Sequence, residues 1–263
     1  VSGNLSLPTD LWVPVTADIP PVKSDIYTAG IAYGGLKGWE FSAEVYWRRL
    51  DNVLETKDGK LALSTTENWE DNVATGVGRA YGAEVYVQKT SGKVTGICSY
   101  TLSKSERRFP DKAINNGKWY PFANDRRHNI RIAAMCKFND RIDAAASWVF
   151  MSGNYMTVPE RETVYVDPEG KFHYLHYVSG RNNYKLPPTH HLDLSVNFTK
   201  HKKKGERVWT IGLYNAYCAM NPDWTYVNDI WSRDEAGKVF YSANITKLSF
   251  LTILPSVSYT YRF

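Results

Sequence analysis

The sequence has no apolar run approaching the roughly 18 residues that a membrane-spanning helix needs, so a helical membrane protein is excluded. It is poor in cysteine: Cys98, Cys136 and Cys218 cannot close a disulfide framework, and none belongs to a CxxC or Cys/His metal pattern. Each sits in an apolar-polar alternation, which suits a buried or lipid-facing thiol. Charge of one sign is also scarce in excess, since 32 basic against 27 acidic side chains leave only +5. That balance is too mild and too dispersed for a nucleic-acid groove. Helical stripes are absent at any useful strength. GxSxG and HExxH are missing too, which removes the two most recognisable hydrolase signatures and leaves no catalytic residue to name. Hydrophobic residues at 43% exclude a disordered polar chain. No Met or signal peptide precedes Val1, so a processed protein, a separate part of a split one, or a portion of a longer chain is expected.

Aromatic residues are plentiful, with 18 Tyr and 9 Trp, and the alternation is period two. Phe41, Ala43, Val45 and Trp47 alternate with Glu40, Ser42, Glu44 and Tyr46, and Leu192, Leu194, Val196 and Phe198 with Asp193, Ser195, Asn197 and Thr199. Both patterns describe strands with one apolar and one polar face. The sequence predicts nine strands, at 24–33, 39–54, 76–88, 94–107, 127–138, 141–154, 190–200, 206–224 and 248–263. Several exceed the usual five or six residues.

Connections between these strands alternate in length. Those at 34–38, 89–93, 139–140 and 201–205 are short, and those at 55–75, 108–126, 155–189 and 225–247 are long. A transmembrane β-barrel has this asymmetry, with tight turns on the periplasmic side and longer loops outside. The expected fold class is therefore all-β, an antiparallel transmembrane barrel, with Glu40, Glu44, Glu84, Asp193 and Asn197 towards a wet lumen. Val45, Val85, Ile132, Leu194, Val257 and Tyr259 are expected to face lipid. A large soluble β-sheet protein remains the competing architecture. If the last strand ends on the short-turn side, nine strands start the first on the long-loop side, whereas a complete bacterial barrel has an even count. The inference is a C-terminal portion of a larger barrel. Residues 1–23, with Pro8, Pro14, Pro20 and Pro21, cannot form a ladder-paired strand and are read as the end of an extracellular loop.

Several segments together resemble the C-terminal barrel half of TonB-dependent outer-membrane transporters. They are LPTDLWVPV at 7–15, the run Glu44–Asn52, GRAYGAEVYVQK at 78–89, SYTLSKSERRF at 99–109, NGKWYPFANDRRHNI at 116–130 and SWVFMSGNYMTVP at 147–159. The terminal alternation Val257, Tyr259, Tyr261, Phe263 is similar to the signal by which outer-membrane barrels are recognised for insertion. The resemblance implies a barrel of about 22 strands, an upstream plug domain, a TonB energy-coupling complex, and a surface lipoprotein as a further plausible partner. Gram-negative outer membrane is the implied location, membrane lipid the implied surroundings, and no cofactor is implied. A scarce solute, such as a siderophore, haem, cobalamin, glycan or peptide, is the implied cargo. Two alternatives stay open: a soluble carbohydrate-binding or adhesion β-protein, which the Trp and Tyr content permits, and an outer-membrane barrel enzyme.

Ligand-binding candidates lie in the long connections: Trp69, Trp119, Tyr120, Tyr165, His173, His176, Arg181 and Trp231. Aromatic rings offer flat apolar area at small entropy cost, and an interfacial girdle explains many of them equally well. His173 and His176 form an HxxH without a helix to bring them together and without a spaced acidic partner, so a solvated aromatic loop is preferred to a metal or haem site. His190 and His191 fall on opposite faces of a strand and cannot chelate one ion jointly. Asp125, Arg126, Arg127 and His128 read as a loop-organising charge network. Gly78, Ala80, Gly82 and Glu84 share one face, where small residues leave room for a close-packed neighbour.

Overall fold

The computed structural model describes residues 14–59, 68–233 and 239–263. Nine long strands form one antiparallel wall: β1 (Lys23–Tyr33), β2 (Trp39–Thr56), β3 (Val73–Lys89), β4 (Val94–Arg108), β5 (His128–Lys137), β6 (Ile142–Met151), β7 (Thr189–Lys202), β8 (Gly205–Tyr214) and β9 (Leu254–Arg262). Each pairs with its neighbours in chain order, and β1 does not pair with β9, so the wall is open at both edges. No helix among the described residues is long and apolar enough to cross a membrane, which says nothing about crossing by strands.

Register divides the wall into two chemically distinct faces. Glu44 lies opposite Glu84, Tyr46 opposite Gly82, Asp193 opposite Ser147, and Asn197 opposite both Asp143 and Thr210. Between them on the other face, Val45 opposes Ala83, Ile132 opposes Trp148, Leu194 opposes Ala146, and Val257 opposes Ile211. Because side chains alternate along a strand, these pairings place every expected polar residue on one face and every expected apolar residue on the other. The apolar face is left bare: Ile31, Val45 and Val257 are 78%, 56% and 67% exposed. The polar face is tied by side-chain bonds, including Asn197 Nδ2 to Asp143 Oδ1 at 2.7 Å and Thr210 Oγ1 to Asn197 Oδ1 at 2.7 Å.

Tight turns use backbone freedom where it is needed. Gly38 and Gly92 take φ of 76° and 96°, and at the third turn Asn139 Oδ1 accepts from the backbone N–H groups of Arg141 and Ile142.

At the opposite end the structure corrects the sequence boundaries. The expected strand 206–224 stops at Tyr214, because Asn215 turns to φ 52° and its side chain bonds the backbone of Ala219 in both directions. The last strand starts at Leu254 instead of 248, and β2 runs on to Thr56. The connection read as 225–247 contains a ladder, Trp224–Arg233 against Val239–Leu248. That read as 155–189 contains Arg161–Val166 against Phe172–Tyr177, and a two-residue pairing of Tyr155–Met156 with Tyr184–Lys185. Residues 1–13 of the expected loop 1–23, and 60–67 of the connection 55–75, lie outside the described residues.

Candidate functional site

Three of the long connections meet in a platform at one end of the polar face. Its origin is a β-bulge at Asn52, a left-handed residue with φ 61°, which breaks the alternation of β2. Beyond the bulge Val53 opposes Gly76 and Glu55 opposes Ala74, so both turn to the face of Glu44 and Glu84. Without that extra residue Glu55 would point to the apolar face. Asn52 also donates from Nδ2 to the Pro21 carbonyl at 3.0 Å, fastening the chain just before β1.

An apolar cluster underlies the platform: Val53, Ala74, Phe109, Ile114 and Tyr120, with Leu50 and Ala113 packed against it. Phe109 and Ile114 are fully buried, and the Phe109 and Tyr120 rings stack with centroids 6.3 Å apart. Burial pushes the Tyr120 phenol well above its ordinary pKa, and the neighbouring Glu55 carboxylate adds to the shift. Gly76 is required here, since a Cβ would stand 2.5 Å from the Arg108 carbonyl and 2.6 Å from the Phe109 ring.

A charge network crosses the top of this cluster. Glu55 receives Arg107 Nη1 at 2.7 Å and Arg181 Nη2 at 3.2 Å, while Arg181 Nη1 reaches Asp58 at 3.1 Å. Asp58 in turn accepts from the Asn115 backbone N–H at 2.8 Å, and the Asn115 side chain accepts from the Arg181 backbone N–H at 2.9 Å. Asn182 donates to the Pro121 carbonyl at 2.8 Å. Asp58, just beyond β2, and the connections 109–127 and 152–188 are thereby locked to one another. The Arg107 guanidinium lies 3.9 Å from the Phe122 ring centroid, and Arg79 lies 4.3 Å from that of Trp119, both within cation–π range.

The second half of the expected charge network supports the start of β5. Asp125 Oδ1 accepts from the Ser105 N–H at 2.7 Å, and Arg127 approaches its other oxygen at 3.6 Å. Burial raises the Asp125 pKa above the usual carboxylate value, while the Ser105 bond and Arg127 oppose the rise. His128 shares a 2.9 Å hydrogen bond between Nδ1 and the Tyr100 hydroxyl.

Of the candidate ligand residues, the structure gathers Tyr120 and Arg181 at the platform, whereas the Trp119 ring lies on Arg79, on the other face of the wall. Tyr120 is 2% exposed, so it serves as packing beneath the surface and only its neighbours are open to a solute. Tyr165 and His173 are cross-strand partners in the separate hairpin 161–177, their rings 4.8 Å apart, with His173 Nε2 bonded to Asp167 at 2.6 Å. That bond holds the Asp167 carboxyl below its ordinary pKa. His176 is three positions further along the same strand and therefore on its other face. Among the described residues no group of three His, Cys, Asp or Glu is placed to hold a metal. Trp69 is half-buried in a 3₁₀ turn, Trp69–Asn72, leading into β3, and Trp231 pairs with Tyr241 in the hairpin 224–248. At the C-terminus Val257, Tyr259 and Tyr261 line the apolar face of β9, and Phe263 follows its end, fully exposed.

Sequence reasoning missed Glu55, Asp58, Arg107, Asn115 and Asn182. The usable signal was Asn52: a turn-former inside an apolar alternation marks a bulge.

The geometry can be set beside known proteins. A family model described as TonB dependent receptor-like, beta-barrel, matches residues 3–216. The closed form of the ferric-catecholate import receptor Fiu from E. coli K12 superposes with a TM-score of 0.54 at 13% identity, covering 94% of this chain and 29% of that one. The ferripyoverdine receptor of the Pseudomonas aeruginosa outer membrane, bound to ferripyoverdine, gives 0.51 at 14% identity, covering 86% and 26%. This chain thus spans less than a third of the length of either receptor. No curated protein matches it by sequence. At such identities the solved receptors speak for the fold alone, and it is the family match over most of the chain that decides: the chain belongs to the TonB-dependent receptor-like β-barrel family.

Proposed function

We propose that this chain forms part of the wall of a Gram-negative outer-membrane receptor that imports a scarce solute with energy delivered from the inner membrane. The observation that carries the reading is the sorting of the two faces by register. A wall that is apolar on one side and hydrogen-bonded on the other separates lipid from a wet lumen. A soluble β-protein is disfavoured by the same observation, because soluble monomers rarely leave a contiguous apolar surface as extensive as the one running from Ile31 to Val257.

In this reading the long connections face the exterior, and residues 1–23 end one of them. The platform, with Arg107, Arg181 and the ring of Phe122, holds the outer loops in place around the solute. A plug domain fills the lumen against Glu44, Glu84 and the small side of Gly82, and a TonB complex supplies the energy. A surface lipoprotein over the loops completes the set of partners. The chain itself performs no covalent chemistry. Its two open edges expose backbone groups that lipid cannot satisfy, so it works only together with further strands. Ferric chelates are the first cargo to test, since the two solved receptors named above are receptors for them by name.

Uptake of radiolabelled ferric siderophores, haem and cobalamin by cells carrying the complete receptor tests the proposal. One of these solutes should accumulate only while the proton-motive force is intact, with surface binding surviving an uncoupler. Accumulation indifferent to the uncoupler would count against an energised receptor.

A further inference from the structure

The apolar face is free of charge through its middle, but not at the end that carries the platform. Register lines up Tyr27, Trp47, Tyr81 and Lys104 in one row across β1–β4. The row below is Ala29, Val45, Ala83 and Leu102, and the row above is Asp25, Arg49, Arg79 and Glu106. Tyr and Trp concentrate where hydrocarbon gives way to headgroups. The row above them therefore stands at headgroup level, facing lipid and not the lumen.

Arg49 and Arg79 are directly opposed there, and like charges facing each other across two strands repel. Arg79 is held by one oxygen of Glu106, through Nε at 2.9 Å and Nη2 at 2.7 Å, and by the Trp119 ring. Lys104 Nζ takes the other Glu106 oxygen at 2.6 Å. One carboxylate is thus divided between two cations. Among the described residues Arg49 pairs with Asp51 of its own strand, at 3.1 Å, and its side chain is 59% exposed. With Lys23 and Arg108 in the row beyond, the cations of this rim outnumber Asp25, Asp51 and Glu106.

We propose that Arg49 and Arg79, with Lys104, bind the phosphate of an anionic lipid headgroup on the outside of the wall. Guanidinium groups take phosphate oxygens two at a time, and an anion lodged between Arg49 and Arg79 turns their repulsion into shared attraction. The aliphatic row of Val45, Ala83 and Leu102 directly below gives the acyl chains of the same molecule their contact surface. A soluble anion would gain nothing from that row, which is why a lipid is the occupant. The inference rests on the reading that this face meets the bilayer.

The test uses the complete receptor in phosphatidylcholine nanodiscs doped with bisphosphorylated lipid A or with its dephosphorylated form, and native mass spectrometry counts the lipid retained. The parent should retain the phosphorylated lipid preferentially. Arg49→Gln should weaken retention about tenfold, the scale of one charge-assisted contact. The double variant Arg79→Gln with Glu106→Gln should do the same without stranding a carboxylate. A Lys200→Gln, Arg207→Gln control, at the other end of the same face, should leave retention unchanged. Equal retention by parent and variants, or no preference for the phosphorylated lipid, would overturn the site while leaving the lipid-facing reading intact. A receptor that will not enter nanodiscs at all would overturn both.

Discussion

Arg181 and Glu55 are 126 residues apart in the sequence, and their side chains meet at 3.2 Å. Neither is fully buried, so the pair alone is worth little; its weight comes from the lattice of Arg107, Asp58 and Asn115 around it. Arg181→Gln should therefore free the connection 152–188 from its neighbours without unfolding the wall. Hydrogen exchange on the complete receptor should quicken through 178–186 and 111–118 and stay unchanged in β6 and β7. Uniform protection in parent and variant would show that the network is ornamental.

Asp125 gives the platform a pH dependence whose sign follows from its raised folded pKa. Its contribution to stability is fully present below the ordinary carboxylate value, about 4, and is lost as pH rises through the folded value. Asp125→Asn removes that loss and keeps an oxygen for the Ser105 N–H. It should be at least as stable as the parent at pH 7, the advantage vanishing towards pH 4. Asp125→Ala should cost about 1–3 kcal/mol at either pH, because a part-buried donor loses its partner. Exchange of the Ser105 amide at the two pH values separates these cases, and an Asn variant as weak as the Ala variant at pH 7 would refute the assignment.

Leu194 and Ser195 are neighbours on opposite faces of β7, the first between Ala146 and Leu213, the second between Ala145 and Gly212. Leu194→Arg should cost about 2–4 kcal/mol in a bilayer if it lies near the midplane. Ser195→Arg should be tolerated. The fraction of complete receptor that assembles into the heat-modifiable barrel measures the difference, and equal assembly of the two variants would contradict the facing.

The wall was legible in the sequence because lipid and water act on alternate residues: Val45 between Glu44 and Tyr46, or Leu194 between Asp193 and Ser195, can be read in only one register. The hairpin 224–248 was not legible, since Thr225, Val227 and Asp229 mix polar and apolar residues along one side of the strand and no face is enforced. The platform escaped for a different reason. Glu55 and Arg107 stand at the ends of β2 and β4 and Arg181 in the connection 152–188, and their meeting depends on the Asn52 bulge and on left-handed turns at Asn115 and Asn182, φ 50° and 53°. Local chemistry marks such turns as tolerable without saying what they bring together.

The central claim is that one face of the wall touches hydrocarbon and the other does not. Single cysteines carrying a fluorophore at 44 and 45, 84 and 85, and 196 and 197, in a complete receptor whose Cys98, Cys136 and Cys218 are replaced by Ala, test it most directly. In bilayers holding a spin label midway along the acyl chain, the probes at 45, 85 and 196 should be strongly quenched and those at 44, 84 and 197 should not. Equal quenching within each pair, or quenching of 45, 85 and 196 by a water-soluble agent instead, would contradict the account.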